Sequence, residues 1–290
     1  MIEAIDRRVQ VLKIHLPYHE SDHVLNLAYN AMCEGVRLED IELRRNDEAF
    51  LDALGAARIP DPTTAGDFCR RFRACHIDAL QDAIDDARLN VWRRQPKKFF
   101  ARATIDFDGV LAITTGECKA GMDISYKGTW GYHPLLVSLA ETGEVLRLVN
   151  RPGNRPSHEG AAAEADRAAA LCRRAGFREI VFRGDTAFSQ SERLDGWDRE
   201  GVTFYFGFKA MPNLKEIADH LPKNAWKKLE RPAKYEVKTA PRAKPENVKR
   251  RVVRERKFEA LRLQSEVVAE FDYRPTECAK NYRMVVIRKN

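Results

Sequence analysis

Two short apolar runs, each ending in acid, constrain this chain more than any other feature of it. The first, Phe99 to Phe107, delivers Asp106 and Asp108 and stops at Gly109. The second, Glu179 to Arg183, runs into Gly184 and Asp185. Both read as strands. Residues two apart in a strand share a face, so Asp106 and Asp108 lie together, opposite Ile105 and Phe107. Like charges so placed repel unless a cation or a donor sits between them. Between the two runs the pattern gives a strand pair and a helix. An α/β protein brings acids distant in sequence to one sheet edge in this way.

Residues 1–97 read as helical. Helical apolar spacing runs from Asp22 to Met32, with Ser21 as cap and Gly35 as stop, and again from Leu38 to Leu54. The Pro60 to Thr64 break then caps a third, longer helix reaching about Trp92. Short helices and tight turns suit a helix-turn-helix-like DNA module, or simply a helical cap on the core. His15, His19 and His23 have the spacing of a helical metal face. Pro17 interrupts that helix, which favours three surface histidines near a turn.

A basic hinge, Trp92 to Lys98, leads into residues 98–210. After the first strand, Gly116 to Gly131 reads as an exposed loop or hairpin carrying Lys119, Tyr126, Lys127 and Trp130. Tyr132 to Ala140 and Val145 to Val149 read as strands joined by a turn at Glu141 to Glu144. Ser157 is placed to cap an alanine-rich helix, with Glu159 in its first turn, Arg173 and Arg174 in its last and Gly176 ending it. A helix over Ser189 to Glu200 and a strand over Val202 to Phe208 follow the second acidic strand. The order is three strands, a helix, a strand, a helix and a strand.

Residues 211–290 differ in charge. Over 211–260 there are fifteen Lys or Arg against seven Asp or Glu, whereas the whole 290-residue chain carries only +7. This segment alone therefore makes the protein basic. Trp226 and Tyr235 interleave with the charges, and Lys227, Lys228, Arg250 and Arg251 are candidate contacts to a nucleic-acid backbone. A solvated insertion without a ligand is the alternative. Val267 to Tyr273 and Tyr282 to Ile287 read as two more strands. No apolar run reaches the roughly 18 residues a membrane span needs, and the first residues lack a signal peptide's apolar core. The six scattered cysteines, with no CxxC pair, read as reduced and mostly buried thiols of a cytoplasmic protein.

Two family resemblances bear on the acids. Ile105 to Val110 resembles the opening motif of haloacid-dehalogenase-type phosphatases, in which the first aspartate, here Asp106, is a nucleophile. Gly184-Asp185-Thr186 echoes that family's late metal motif, but Ser189 stands where its second acid is expected. The broader resemblance is to DDE-class insertion-sequence transposases of the IS-four-like or IS-thirteen-eighty type. It rests on Asp106 to Gly109, Gly116 to Lys119, Tyr126 to Gly128, Gly131 to Leu136, Arg151 to Gly160, Arg183 to Phe188 and Tyr282 to Val286.

That resemblance implies an α/β, RNase H-like core with a helical N-terminal region and a basic, β-containing insertion. It implies cleavage and strand transfer at the terminal inverted repeats of double-stranded DNA, by a homodimer on DNA, with Mg²⁺ or Mn²⁺. Asp108 and Asp185 would be the first two catalytic, metal-holding acids, with Asp106 a further candidate ligand. Lys127, His133 and Arg183 would contact phosphate; for His133 a turn role before Pro134 is equally open, and Arg183 can instead neutralise the acids. The third acid, a glutamate on a later polar helix, has no counterpart up to Asn290, so the expectation is a C-terminally truncated, nucleoid-associated transposase. A catalytically inactive DNA-binding remnant or regulator is the alternative.

Overall fold

The computed structural model describes residues 1–15, 17–116, 119–229, 248 and 266–289. Its described chain divides into two units, one formed by Met1–Phe188 with Glu200–Gly207, the other by Ser189–Arg199 with Phe208–Asn290.

The first unit opens with helices α1 (Ile2–Arg8), α2 (Glu20–Met32), α3 (Ile41–Arg45), α4 (Glu48–Leu54), α5 (Pro62–Arg70) and α6 (Ala74–Trp92). The expected long helices are divided. The Leu38 to Leu54 pattern splits into a 3-10 turn, α3 and α4, because the Asp47 carboxylate accepts from Phe50 N and starts a new helix. Asp61 caps α5 through Thr64 N, and the chain breaks again before α6, where Arg73 N donates to His76 Nδ1. Helix α2 begins one residue before Ser21. Its cap is His19, whose amide donates to Asp22, while Ser21 instead bonds Asp6. Two apolar clusters result, Ile5, Val9 and Ala83 in one and Ile41, Ile59 and Ala65 in the other.

The region from Trp92 to Phe100, expected as a basic hinge, is a packed joint. Trp92, Phe99, Phe100 and Phe177 form a ring cluster with centroids 5.1–6.0 Å apart, and Trp92 Nε1 donates to Glu144.

The strands follow: β1 (Arg102–Gly109), β2 (Ala112–Ile113), β3 (Asp123–Ile124), β4 (Trp130–Tyr132), β5 (Leu135–Leu139), β6 (Glu144–Val149); then α7 (Ala161–Ala175) and β7 (Glu179–Gly184). After α8 (Ser191–Arg199), which belongs to the second unit, β8 (Val202–Phe206) returns to the first. Five strands form one mixed sheet in the order β6-β5-β1-β7-β8. Strand β5 runs antiparallel to β1 and β6, whereas β7 runs parallel to β1 and β8 parallel to β7. Ala103, Ile105, Phe107, Val137 and Phe182 are buried on one face with the alanine-rich side of α7. The opposite face carries Thr104, Asp106 and Asp108, none of them buried. Helix α7 starts later than expected: Gly160, at φ 75°, is its cap, so Glu159 lies outside the first turn.

Strands β2, β4 and β3 form a separate small antiparallel sheet where the sequence suggested a loop or hairpin. The expected strand from Tyr132 to Ala140 is interrupted at His133-Pro134, between β4 and β5.

The second unit holds α8, α9 (Pro212–His220), β9 (Lys227–Lys228), β10 (Glu266–Tyr273) and β11 (Tyr282–Lys289), the strands pairing in the order β11-β10-β9. Arg288 lies 4.3 Å over the Trp226 ring. Of the five described cysteines only Cys172 and Cys278 are buried; against expectation Cys33, just past the end of α2, Cys69 on α5 and Cys75 on α6 are exposed. Among the described residues no helix is long and apolar enough to cross a membrane.

Candidate active site

Strands β1 and β7 are central neighbours and run parallel, so their C-terminal tips emerge side by side. Their last paired couple is Phe107 with Gly184. Asp108 and Asp185 each stand one residue beyond it, on chains about 4.8 Å apart by ordinary strand spacing. Both are exposed. Gly109 N donates to Asp108 Oδ1, and Ala187 N donates to Asp185 Oδ1, each at 2.8 Å. These amides fix the two carboxylates locally. Among the described residues, neither outer oxygen has a protein partner.

Asp106 has a different neighbour. It is paired across the sheet with Arg183, which donates Nε to Oδ1 at 2.7 Å and a terminal nitrogen to Oδ2 at 2.6 Å. This two-bond fork is the strong geometry for arginine and carboxylate. The hydrogen bond to Asp106 also raises the Arg183 pKa. Arg183 thus neutralises Asp106 and leaves Asp108 and Asp185 as the free pair.

Three glycines shape the tips. A Cβ on Gly109 would lie 2.6 Å from His133 Nε2, one on Gly184 2.9 Å from Phe188 Cβ, and one on Gly207 2.8 Å from Thr186 N. Gly207 N also donates to Gly184 O at 3.0 Å. Gly207, just past β8, therefore holds the Asp185-Thr186 backbone from the far side. Nothing in the sequence reading singled it out; its only signal is a glycine closing an apolar strand.

His133 is buried. Its Nδ1 lies 2.7 Å from Arg155 O, and its amide donates to Arg151 O. Arg151, also buried, donates to the carbonyls of His133, Pro156, Ser157 and Glu159. The Gly-Tyr-His-Pro and Arg151 to Gly160 pieces are thus one knot behind the tip of β1. Ser157 serves there and not as a helix cap.

Hard oxygen donors of this kind suit Mg²⁺ or Mn²⁺, which take one or two carboxylates and keep several waters. The Asp108 and Asp185 pair fits that requirement. Among the described residues no group of three His, Cys, Asp or Glu is placed to hold a metal.

Over residues 11–288 the chain matches the family described as transposase DDE domain, group 1. The chain belongs to this DDE transposase family. No curated protein matches it. Among solved structures it is similar to a piggyBac transposase synaptic complex with hairpin DNA, at 10% identity and a TM-score of 0.35, covering 80% of this chain and 53% of that one. It is also similar to a Mos1 transposase paired-end complex with left transposon end, at 8% identity and a TM-score of 0.25, covering 63% and 57%. The chain spans little more than half the length of either.

Of the other expected contacts of this DDE transposase chain, Lys127, Lys227 and Lys228 fall among the described residues. Lys127 is exposed at the β3–β4 turn, with Nζ 5.5 Å from the Tyr126 ring centre. Lys227 and Lys228 are exposed on β9 of the second unit. Arg250 and Arg251, with most of the basic segment, lie outside the described residues. The three early histidines share no metal face: His15 and His19 stack 5.6 Å apart before the helix, and His23 is buried, not at the surface.

Proposed function

We propose that this chain is the DNA-processing part of an insertion-sequence transposase with an RNase H-like core, in which Asp108 and Asp185 are the first two metal-holding acids. One observation carries the reading: two exposed carboxylates at adjacent tips of parallel strands, with one arginine spent on their neighbour Asp106. The strand order, with three antiparallel strands followed by two parallel crossovers, supports an RNase H-like core. The domain scheme that goes with it has a DNA-contacting helical region over 1–97, the core over 98–210 and a basic insertion over 211–290.

A divalent cation bound there would polarise a DNA phosphate and lower the pKa of an attacking water. The residues of this chain prepare that step. The amides of Gly109 and Ala187 orient one oxygen of each aspartate, leaving the other for the ion. Arg183 removes the like-charge repulsion that Asp106 would otherwise add. The third carboxylate is to be sought outside the described residues. The partner is double-stranded DNA at the element's terminal inverted repeats, and joining two ends calls for a homodimer. Of the phosphatase resemblance nothing is carried further, since the family match spans 11–288 and Asp106 is held by arginine.

The absence of a third clustered acid among the described residues favours a second reading, a remnant that binds DNA without cutting it. Both readings expect binding that weakens steeply with salt. The test incubates the full chain with DNA from both flanks of its gene, with Mg²⁺ or Mn²⁺, and measures strand nicking. Nicking abolished by Asp108→Ala and by Asp185→Ala supports the active reading. Salt-sensitive binding with no nicking supports the remnant, and no binding defeats both.

A further inference from the structure

The packed joint where α6 leads into β1 is also where cations collect. Residues 87–105 and 167–178 together hold ten Lys or Arg and no Asp or Glu, although the chain outside 211–260 is slightly acidic. The two segments meet in the structure. Arg178 N donates to Phe100 O at 3.0 Å, and the Phe177 ring lies 5.2–5.4 Å from those of Trp92, Phe99 and Phe100. Cations adjoin these rings in sequence: Arg93 follows Trp92, Lys98 precedes Phe99 and Arg178 follows Phe177. The ring cluster therefore fixes the backbone of all three. All three are exposed, as are Arg94 and Lys97.

Neighbouring arginines are matched to acids. Arg102 meets Glu179 at 2.9 Å and Arg173 meets Glu200 at 3.6 Å. Arg93 reaches only the Asn90 side chain. Arg94, Lys97, Lys98 and Arg178 have no carboxylate partner among the described residues. The helix dipole accounts for Arg93 and Arg94, at the C-terminal end of α6. It does not account for Lys97 and Lys98, which open the 3-10 turn Lys97–Ala101, the end that favours anions. Like charges held together on a fixed backbone repel, and an anionic partner offsets that cost. A symmetric contact with a second copy would set these cations against themselves.

We infer that Arg94, Lys97, Lys98 and Arg178 form a separate grip on the DNA backbone, at the end of the sheet opposite the acids. This rests on the function proposed above. The cations stand where β1 and β7 begin, and Asp108 and Asp185 where these strands end. Six steps of extended strand, from Arg102 to Asp108, span about 20 Å. That equals the rise of about six base pairs. Cations so far away do not share the reacting phosphate. They add affinity common to every sequence and leave the chemical step alone.

The experiment measures affinity of the full chain against salt concentration, for duplex from the flanks of its gene and for an unrelated duplex of the same length. The variant combines Arg94→Gln, Lys97→Gln, Lys98→Gln and Arg178→Gln. Each phosphate contact contributes about 0.9 to the slope of log affinity on log salt, so the slope is expected to shrink by about 3 to 4 on both duplexes. Lys97→Glu alone, on the exposed turn, is expected to weaken both by a similar factor. Any nicking is expected to keep its rate at saturating DNA and to need more DNA to reach it. An unchanged slope, or weakening confined to one sequence, overturns the inference. So does a lower rate at saturation, which would place the cations at the reacting phosphate. Competition by polyglutamate as effective as by DNA would assign the surface to an acidic protein instead. An unchanged slope in a chain that still binds DNA defeats this inference alone, whereas a wild-type chain that binds neither duplex defeats the proposed function as well.

Discussion

Asp85 and Asp108 are carboxylates of the same unit in opposite circumstances. Asp85 is 1% exposed on α6, held by Arg88 and, at 2.8 Å, by Arg147 of β6. Arg88 also donates to Val145 O, so the cluster bolts α6 to the sheet. Asp108 is exposed and bonded to a backbone amide, with no other protein partner among the described residues. A buried charge must be fully paired, because leaving it bare costs several kcal/mol. A charge meant for a ligand must stay partly unpaired, which the surface permits. The difference separates an acid used for architecture from an acid available for chemistry, and each can be disturbed without the other.

The largest effect expected is on activity. Asp108→Asn is expected to reduce nicking to background while the free energy of urea unfolding moves by no more than about 0.5 kcal/mol, the usual range for a surface change. A large loss of stability would show that Asp108 belongs with Asp85 as a structural acid. The converse variant is Asp85→Ala. It leaves two buried guanidiniums facing each other and is expected to cost about 3 kcal/mol in denaturant unfolding. Stability unchanged in Asp85→Ala would mean that Asp82 and Glu144, each about 4 Å from one of the arginines, take over the pairing.

Gly207 lies between these extremes. Its Cβ would meet the Thr186 amide at 2.8 Å, a backbone atom with little room to move. Gly207→Ala is expected to cost about 1–3 kcal/mol as overpacking and to lower nicking more than DNA affinity, by displacing Asp185. Unfolding together with a nicking assay on the folded fraction separates the two. Nicking unchanged in folded Gly207→Ala would show that Asp185 does not depend on this buttress.

The comparison also explains what the sequence could show. Asp108, Asp185 and the strands under them were legible because a period of two, ended by glycine, is a local signal. So were β7, β10 and β11. The knot of Arg151 and His133 was visible as a motif but not as a structure, since its hydrogen bonds close over a loop whose path no local rule gives. Ser157 obeyed the capping rule and still lost to it, because Arg151 holds its carbonyl. The Asp106 and Arg183 pair follows from register, which periodicity alone leaves undefined between β1 and β7. The breaks between α3 and α4 and between α5 and α6 fell where a polar side chain, Asp47 or His76, outbid the next helical turn.

The smallest effect concerns His23, in a third circumstance: a buried titratable group with no charge to pair. Its ring stacks on Phe68 at 4.4 Å, and Nδ1 has no hydrogen-bond partner among the described residues. Burial lowers its pKa, with Asp22, Glu20 and Asp61 pulling the other way and Arg71 adding to the fall. Below about pH 6.5 the unfolded chain therefore takes up a proton that the folded chain refuses. The stability that the neutral ring contributes is complete above that pH and is lost as pH falls through the lowered folded value. Between pH 7.5 and 5.5 the unfolding free energy is expected to drop by about 1 kcal/mol. His23→Phe, which keeps a stacking ring, is expected to flatten that slope. The Asp61 cap, whose carboxyl is lowered by the Thr64 amide and hydroxyl, acts in a lower window: its contribution is present above the normal carboxylate range and is lost only as pH falls through its folded value. A slope that survives in His23→Phe would place the proton uptake elsewhere in the helices. A slope that vanishes there would place the proton uptake at the buried His23 ring.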